Sequence, residues 1–281
     1  MTEHRVAPAL SVAVISHGHE ALLRRCLDSF DAALDGIAAE WLVLDNLGGD
    51  LRPFAAGLGH PCMVLHNDRP CGFAANVNRL ARLGTGRLLL LLNPDTHYLS
   101  GHIGEGLEFF ERNDRIGVLG CRLLNADGSL QASYRRFPTL PQLGMRALGA
   151  DRWRHRPGYY DRQMMYGETF SGPTRVEWFY GAFMLLRRQQ FLDIGGMDEG
   201  FRVYYEDVDL CYRLTEGGMI ACYYPALTVY HEHRRSSAAQ PLARIWRWHV
   251  QSAARYFFKH GYCWRAPLSV GSGPTHESFE A

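Results

Sequence analysis

Along the first 120 positions, apolar residues gather in short continuous runs, and stretches of helical spacing lie between several of them. Leu10 to Ile15 is the first run, Trp41 to Leu44 the second, Met63 to Leu65 the third, Leu88 to Leu92 the fourth and Ile116 to Leu119 the fifth. Between the first two, Leu22, Leu23, Cys26, Leu27 and Phe30 recur at the three- and four-residue steps of one helix face. Phe73 to Leu83 and Ile103 to Arg112 predict further helices. A strand that is apolar at every position is covered on both faces, and connecting helices supply the cover. The pattern therefore predicts an α/β fold, a mostly parallel open sheet flanked by helices.

The pattern changes after Cys121. Asn125-Ala126-Asp127-Gly128 signals a turn and predicts a hairpin. Residues 137 to 174 are rich in proline, arginine and aromatics with little periodicity, and read as a long, partly irregular surface segment and candidate lid. Val176 to Arg187 is strand-like, and a helix over Arg188 to Asp193 leads to Gly195-Gly196. Residues 240 to 260 predict an amphipathic helix in which Ile245, Trp246, Trp248, His249, Ala253, Tyr256 and Phe257 alternate with Arg and Lys. Three settings are open to that helix: a membrane surface, the body of the domain, or a second copy of the chain. The expected division is a main domain over 1–237, with halves of about 8–120 and 121–237, a helical extension over 238–270 and a tail over 271–281.

Composition narrows the classes. The chain has 281 residues, 47% hydrophobic and 21% charged, with a formal net charge of +1. So even a balance argues against nucleic acid as a partner. Seven cysteines, with no CxxC pair, fit neither a disulfide framework nor a zinc knuckle, so a reducing, cytoplasmic setting is expected. The longest leucine run, Leu88 to Leu92, is far shorter than the roughly 20 residues that cross a bilayer as a helix.

Candidate chemistry sits where strands end. In an open α/β sheet, ligands bind beyond the carboxyl ends of the strands. The second run leads into Asp45-Asn46, and the fourth into Asn93-Pro94-Asp95. Two such acids point to a shared cleft, in which Asp95 can hold Mg²⁺ or Mn²⁺ while a diphosphate supplies further oxygen ligands. His231 follows another short apolar run and is either a second ligand or a hydrogen-bonded structural residue. Gly72-Phe73 opens the helix carrying Asn76 and Asn78, where unpaired N–H groups favour a phosphate. In Tyr204-Tyr205-Glu206-Asp207-Val208-Asp209-Leu210, Asp207 stands at the head of a buried stripe continued by Leu210, Cys211 and Leu214. A carboxylate there needs partners or a task such as taking a proton. GxGxxG, P-loop, GxSxG and HExxH patterns are absent, so simple dehydrogenase, NTPase, serine hydrolase and zincin readings lack their motifs.

Taken in order, Ser11 to Ser16, Val43-Leu44-Asp45-Asn46, Gly72 to Asn78, Leu91 to Thr96, Gly181-Ala182, Gly195 to Glu199 and Tyr205 to Arg213 resemble family 2 glycosyltransferases of the GT-A fold. The likeness is closest to bacterial rhamnosyltransferases of cell-surface polysaccharide assembly and covers about residues 10 to 237; Ser129-Leu130-Gln131 and Arg135 to Thr139 share it. The resemblance implies a Rossmann-like sheet with a C-terminal acceptor-side extension, and inverting transfer of a sugar from a nucleotide diphosphate. By it, Asp207 is the general base, Asp45 holds the nucleoside part, and Asp95 with His231 holds Mg²⁺ or Mn²⁺. The donor set is then Ser16, His17, Asp45, Gly72, Phe73, Asn78, Asn93 and Asp95. The candidate acceptor set is Trp178, Tyr180, Gly181, Glu206, Arg135 and Arg136, in which the two aromatics are either an acceptor platform or core, and the two arginines either meet an acceptor diphosphate or the donor or form a solvated basic loop. dTDP-L-rhamnose is the implied donor, with a saccharide or lipid-linked saccharide as acceptor at the cytoplasmic face of the inner membrane. The chain departs from the wider family in Ser16-His17-Gly18-His19, in Asn93-Pro94-Asp95, which has one carboxylate fewer than DxD, and in Pro70.

Two other classes compete. A sugar nucleotidyltransferase would carry a glycine-rich basic loop after the first strand, unlike Ser16-His17-Gly18-His19. A non-catalytic nucleotide-sugar-binding protein would have no need of Asp207.

Overall fold

A computed structural model describes residues 8–18, 20–202, 204–232 and 242–261; the predicted tail over 271–281 lies outside them. The first half runs β1 (Leu10–Ser16), α1 (Glu20–Ala33), β2 (Ala39–Asp45), α2 (Arg52–Ala55), β3 (Cys62–His66), α3 (Phe73–Leu83) and β4 (Leu88–Leu92). β5 (Thr96–Ser100), α4 (Ile103–Arg112) and β6 (Ile116–Leu124) follow. The remainder holds β7 (Tyr134–Arg135), α5 (Leu140–Ala147), α6 (Gly158–Met164), β8 (Thr174–Val176), β9 (Trp178–Phe179), β10 (Phe183–Arg187) and α7 (Arg188–Asp193). α8 (Glu206–Glu216), β11 (Ile220–His231) and α9 (Leu242–His260) complete the order.

The main sheet runs β3-β2-β1-β4-β10-β6-β11-β5, with β8 paired to β11. β1 pairs parallel with both β2 and β4, β2 with β3, and β6 with β11. β10 is antiparallel to both its neighbours, β4 and β6. The carboxyl ends of β1, β2, β4, β6 and β11 therefore share one edge with the start of β10. Apolar runs without alternation come from cover on both faces: Val12, Val14, Leu88 and Leu90 pack toward α1 and α4, while Ala13, Ile15, Leu89 and Leu91 pack toward α3 and α8. Burying a leucine contributes roughly 1.5–3 kcal/mol. Polar residues kept at the same strands' ends therefore call for a reason other than core packing.

One expectation needs detail and another needs correction. The segment 137–174 is irregular only in part: it carries α5, α6 and a 3₁₀ turn at Ala150–Arg152, with a small core of Ala150, Tyr160 and Met164. Thr139 accepts from the Gln142 N–H and caps α5, and Pro141 occupies the first turn, where a missing N–H costs nothing. The stretch Val176 to Arg187 is not one strand. It divides into the end of β8, then β9 and β10, and β9 leaves the main sheet to pair with β7.

The inner face of α9 packs on the domain. Tyr256 is buried with its ring 5.4 Å from Tyr205 and 6.0 Å from Tyr212. Asp198 takes Arg255 and Lys259, each at 2.8 Å, and fully buried Asp209 takes Arg213 at 2.8 Å and His260 at 2.9 Å. The outer face leaves Trp246, Val250 and Phe258 exposed, Phe258 to 93%. Among the described residues, no helix is long and apolar enough to cross a membrane.

Candidate active site

The strand-end residues line up across the sheet. Ser16 and Asp45 are register partners at the ends of β1 and β2, and His66 pairs with Asp45 at the end of β3. Asp45 is buried; its Oδ1 accepts from the Leu47 N–H at 3.2 Å, and His66 Nδ1 lies 3.9 Å from Oδ2. Oδ2 and the buried Ser16 Oγ have no hydrogen-bond partner among the described residues. A buried acceptor left in that state costs about 1–3 kcal/mol, which a ligand donor would recover. His17 is exposed, and its Nδ1 lies 2.9 Å from Asn46 Nδ2. Asn46 also grips both backbone groups of Cys71, tying the loop before Gly72 to the end of β2.

Gly72 caps α3 with an extended backbone, and space beside it is open. Phe73 is partly buried against the core. Asn78 differs from its expected donor role. It is buried, its Oδ1 accepts from the Met197 N–H, and its Nδ2 donates to the Met197 carbonyl and to Glu199. Its amide instead holds the loop at Gly196, where φ is +69° and an added Cβ would lie 2.3 Å from Asn78 Oδ1.

Past β4, Asn93 donates its N–H to the Ala182 carbonyl at 3.1 Å, and its own carbonyl accepts from the Thr96 N–H and hydroxyl. That turn presents Asp95, whose Oδ1 lies 3.4 Å from His231 Nε2 at the end of β11. Both residues are largely buried. Gln131 Oε1 lies 2.7 Å from His231 Nδ1 on the other side of the ring. One carboxylate and one imidazole form a donor set suited to Mn²⁺ or Mg²⁺. Among the described residues, no cluster of three or more His, Cys, Asp or Glu could hold a metal, so the remaining ligands would have to be waters or donor phosphates.

Ala182 links this pair to the candidate base. The Gly181 N–H donates to Asp207 Oδ2 at 3.2 Å, and the Val208 N–H donates to Oδ1 at 2.8 Å. Burial pushes the Asp207 carboxyl up to about 6, against the pull of those backbone hydrogen bonds. Burial, and then the neighbouring Asp207 charge, raises Glu206 further, and its Oε2 is buried without a partner among the described residues. The two backbone donors favour the charge on Asp207, and the partnerless Oε2 favours the proton on Glu206. Asp207 is reached through two left-handed residues, Tyr204 at φ 65° and Tyr205 at φ 72°. Each costs about 1–2 kcal/mol for an L-residue. His249 of α9 packs against both rings, at 5.3 and 5.6 Å, so α9 secures the entry to the base-bearing helix.

Next to Gly181, Tyr180 accepts from Arg135 Nη2 at 3.3 Å, and its ring centre is 5.7 Å from that of Trp178. The Arg135 guanidinium lies 5.6 Å from the Tyr166 and Tyr180 ring centres and is largely buried, and its Nε lacks a partner among the described residues. Arg136 Nε is also buried without one, while its carbonyl accepts from Trp178 Nε1 at 2.8 Å. Glu177 lies in the same region, its carboxyl raised to about 7 by burial. The residues missed by sequence reasoning are Gln131, Tyr166 and Asn46. Gln131 left a signal in Ser129-Leu130-Gln131 and Asn46 in Val43-Leu44-Asp45-Asn46, whereas Tyr166 left none.

A mostly parallel open sheet flanked by helices, with buried carboxylates gathered at its carboxyl edge, is the architecture of the GT-A glycosyltransferases. The glycosyltransferase-like family 2 model matches residues 8–250, and the chain belongs to that family as a rhamnosyltransferase-like glycosyltransferase. It is 30% identical over 271 residues to an N-acetylglucosaminyl-diphospho-decaprenol L-rhamnosyltransferase of Mycobacterium tuberculosis, covering 92% of this chain and 87% of that one. It is 25% identical to the rhamnosyltransferase WbbL of Escherichia coli, covering 87% of this chain and 91% of that protein. Among solved structures, a mannosyltransferase of Pyrobaculum calidifontis in complex with GDP-Man and Mn²⁺ superposes with a TM-score of 0.58. That match has 15% identity and covers 94% of this chain and 67% of that one.

Proposed function

We propose that the protein transfers L-rhamnose from dTDP-L-rhamnose, with inversion, onto a saccharide or lipid-linked saccharide in cell-surface polysaccharide biosynthesis. The observation that carries this reading is the chain of contacts from Asp207 through Gly181, Ala182 and Asn93 to the Asp95–His231 pair. It joins a proton acceptor to a cation site at one sheet edge. The names of the two curated relatives favour rhamnose and, in one case, a diphosphate-linked lipid acceptor.

In this mechanism Ser16 and Asp45 take the nucleoside, using the buried oxygens that lack protein partners. His17, Gly72, Phe73 and Asn93 border the donor, and Asn78 supports it indirectly through the Gly196 loop. Asp95 and His231 would hold Mg²⁺ or Mn²⁺, which supplies charge stabilisation for the departing diphosphate. Asp207 accepts the proton of the acceptor hydroxyl as that oxygen attacks the anomeric carbon on the face opposite the leaving group. The Gly181 N–H holds the carboxylate in place. Protonated Glu206 limits the negative charge beside it. Trp178 and Tyr180 offer an aromatic platform for a sugar ring, and Arg135 and Arg136 offer cationic groups to an acceptor phosphate.

The outer face of α9 is read as a contact with an anionic membrane surface. It presents Trp246, Val250 and Phe258 beside Arg244 and Arg247, and the helix sequence contains no acid. In this reading the enzyme works at the cytoplasmic face of a membrane, a setting that a lipid-linked acceptor would favour. A concentration-dependent dimer by light scattering, without vesicle binding, would assign the face to a second copy instead.

The test is a donor panel of dTDP-, UDP- and GDP-sugars against free and lipid-linked acceptors, with the product anomer read by NMR. Inverted rhamnosyl product from dTDP-rhamnose is expected. Turnover confined to another donor sinks the rhamnose assignment, and nucleotidyl transfer sinks the class.

A further inference from the structure

The imidazole of His231 presents one nitrogen to Asp95 and the other to Gln131, a residue 100 positions away in the chain. Gln131 follows the turn Asn125 to Gly128, where the Asn125 N–H donates to the Ser129 carbonyl and the Gln131 N–H donates to the Leu123 carbonyl. β6 ends there, and Leu124 is the register partner of Tyr230, next to His231. The turn therefore abuts the candidate cation site through backbone pairing.

Its side chains form an ordered series whose direction one group decides. An ionised carboxylate can only accept hydrogen bonds. Two hydrogen bonds from Ser129 hold the Asp127 carboxyl below its ordinary value, so it stays ionised at neutral pH. The Ser129 hydroxyl donates to Asp127 Oδ1 at 2.6 Å, and Ser129 Oγ accepts from Asn125 Nδ2 at 2.9 Å. Asn125 Oδ1 accepts from Gln131 Nε2, also at 2.9 Å. Gln131 must then turn its oxygen to the imidazole, and His231 Nδ1 must carry the proton that it donates across 2.7 Å. In a neutral ring the lone pair falls on Nε2, 3.4 Å from Asp95 Oδ1. Two electron-rich atoms facing one another at that distance favour a cation between them.

We infer that Gln131 is a positioning residue for the cation site, the last member of an Asp127–Ser129–Asn125–Gln131 relay that locks His231 in the Nδ1–H tautomer and presents Nε2 to a divalent ion. The inference rests on the reading of Asp95 and His231 as cation ligands. The buried step carries most of the effect. Asp127 and Ser129 are exposed, where water competes for the same hydrogen bonds, whereas Gln131 and His231 are buried. A partner that orients a metal-binding histidine is typically worth about 10–100-fold in metal affinity.

The test uses the full-length protein. Imidazole ¹⁵N shifts of His231 in metal-free wild-type protein should report Nδ1–H, a measurement that needs no variant. Mn²⁺ titration followed by electron paramagnetic resonance should show Gln131→Met, of similar size but without the oxygen acceptor, binding about 10–100-fold more weakly. Gln131→Glu keeps an acceptor and should restore the affinity. Thermal transitions confirm that both variants fold. An Nε2–H tautomer in the wild type overturns the inference, as does wild-type Mn²⁺ affinity in Gln131→Met or equal loss in both variants. Asp95→Asn and His231→Ala separate the two readings. If they lose Mn²⁺ while Gln131→Met does not, the relay alone fails. If neither loses it, the cation pair fails and the relay with it.

Discussion

The proposed donor and acceptor sides of the site are built in opposite ways. On the donor side, Ser16, Asp45 and Asp95 each end or follow an apolar strand, and parallel register sets them along one edge. On the acceptor side, Arg135, Trp178 and Tyr180 lie on or beside two-residue strands outside the main sheet. They are fastened by a guanidinium near two tyrosine rings and by an indole on a carbonyl. One side is placed by a repeated backbone pattern, and the other by single side-chain contacts between distant segments. The sheet-built side should therefore tolerate change in its neighbours, and the acceptor side should not. Asp207 stands between them, on a helix but held to the Gly181 N–H.

The sharpest test of that boundary is Asp207→Asn, which keeps the shape and removes the base. Turnover should fall by about 10²–10⁴-fold with donor binding retained; steady-state kinetics with donor titration measures both. Asp95→Asn strikes the donor side alone. Mn²⁺ affinity should fall by at least about 10–100-fold, the loss seen even when an outer partner of a metal ligand is removed. Acceptor KM should stay the same, and a rise in it would erase the distinction between the two sides.

The pH profile concerns the residue that joins them. A general base must be deprotonated, and the Asp207 carboxyl is raised to about 6. kcat/KM should thus fall about tenfold per pH unit below about 6 and level off above it. A profile flat down to pH 4 would assign the proton transfer to another group. Arg135→Lys keeps the charge and loses the planar fork. Acceptor KM should rise about tenfold, the equivalent of one charged hydrogen bond, with donor KM unchanged. The smallest catalytic effect is expected on the outer face of α9. Trp246→Ser with Phe258→Ser should reduce sedimentation with anionic vesicles, yet leave kcat on a soluble acceptor within about twofold. Both side chains are exposed, and surface changes there cost little.

The same contrast explains what was legible in the chain. Leu88 to Leu92 and Trp41 to Leu44 read as strands because five or four apolar residues in a row leave few other solutions, and the acids after them were visible at once. The insertion of antiparallel β10 between β4 and β6 was not legible, since a buried run carries no mark of direction. α5 and α6 were hidden because prolines and arginines disturb the helical period, and a cap at Thr139 and a small core hold them. Asn78 read as a ligand contact because helix position says nothing about an amide's partner, and that partner lies 119 residues away. Gln131 showed only as part of a resemblance.

The amino-acid sequence by itself determined the layered α/β architecture, the strand ends where chemistry gathers and the buried stripe headed by Asp207. Those follow from unbroken apolar runs, which read as strands covered on both faces, and from the 3.6-residue period that chain geometry imposes on a helix. Tertiary structure alone decided that Asp207 rests on the Gly181 N–H, that Asp95 faces His231, and that Gln131 rather than a carboxylate stands behind that histidine. A hydrogen bond is set by atoms a few ångströms apart, and the residues that supply those atoms here are separated by 26 to 136 positions in the chain.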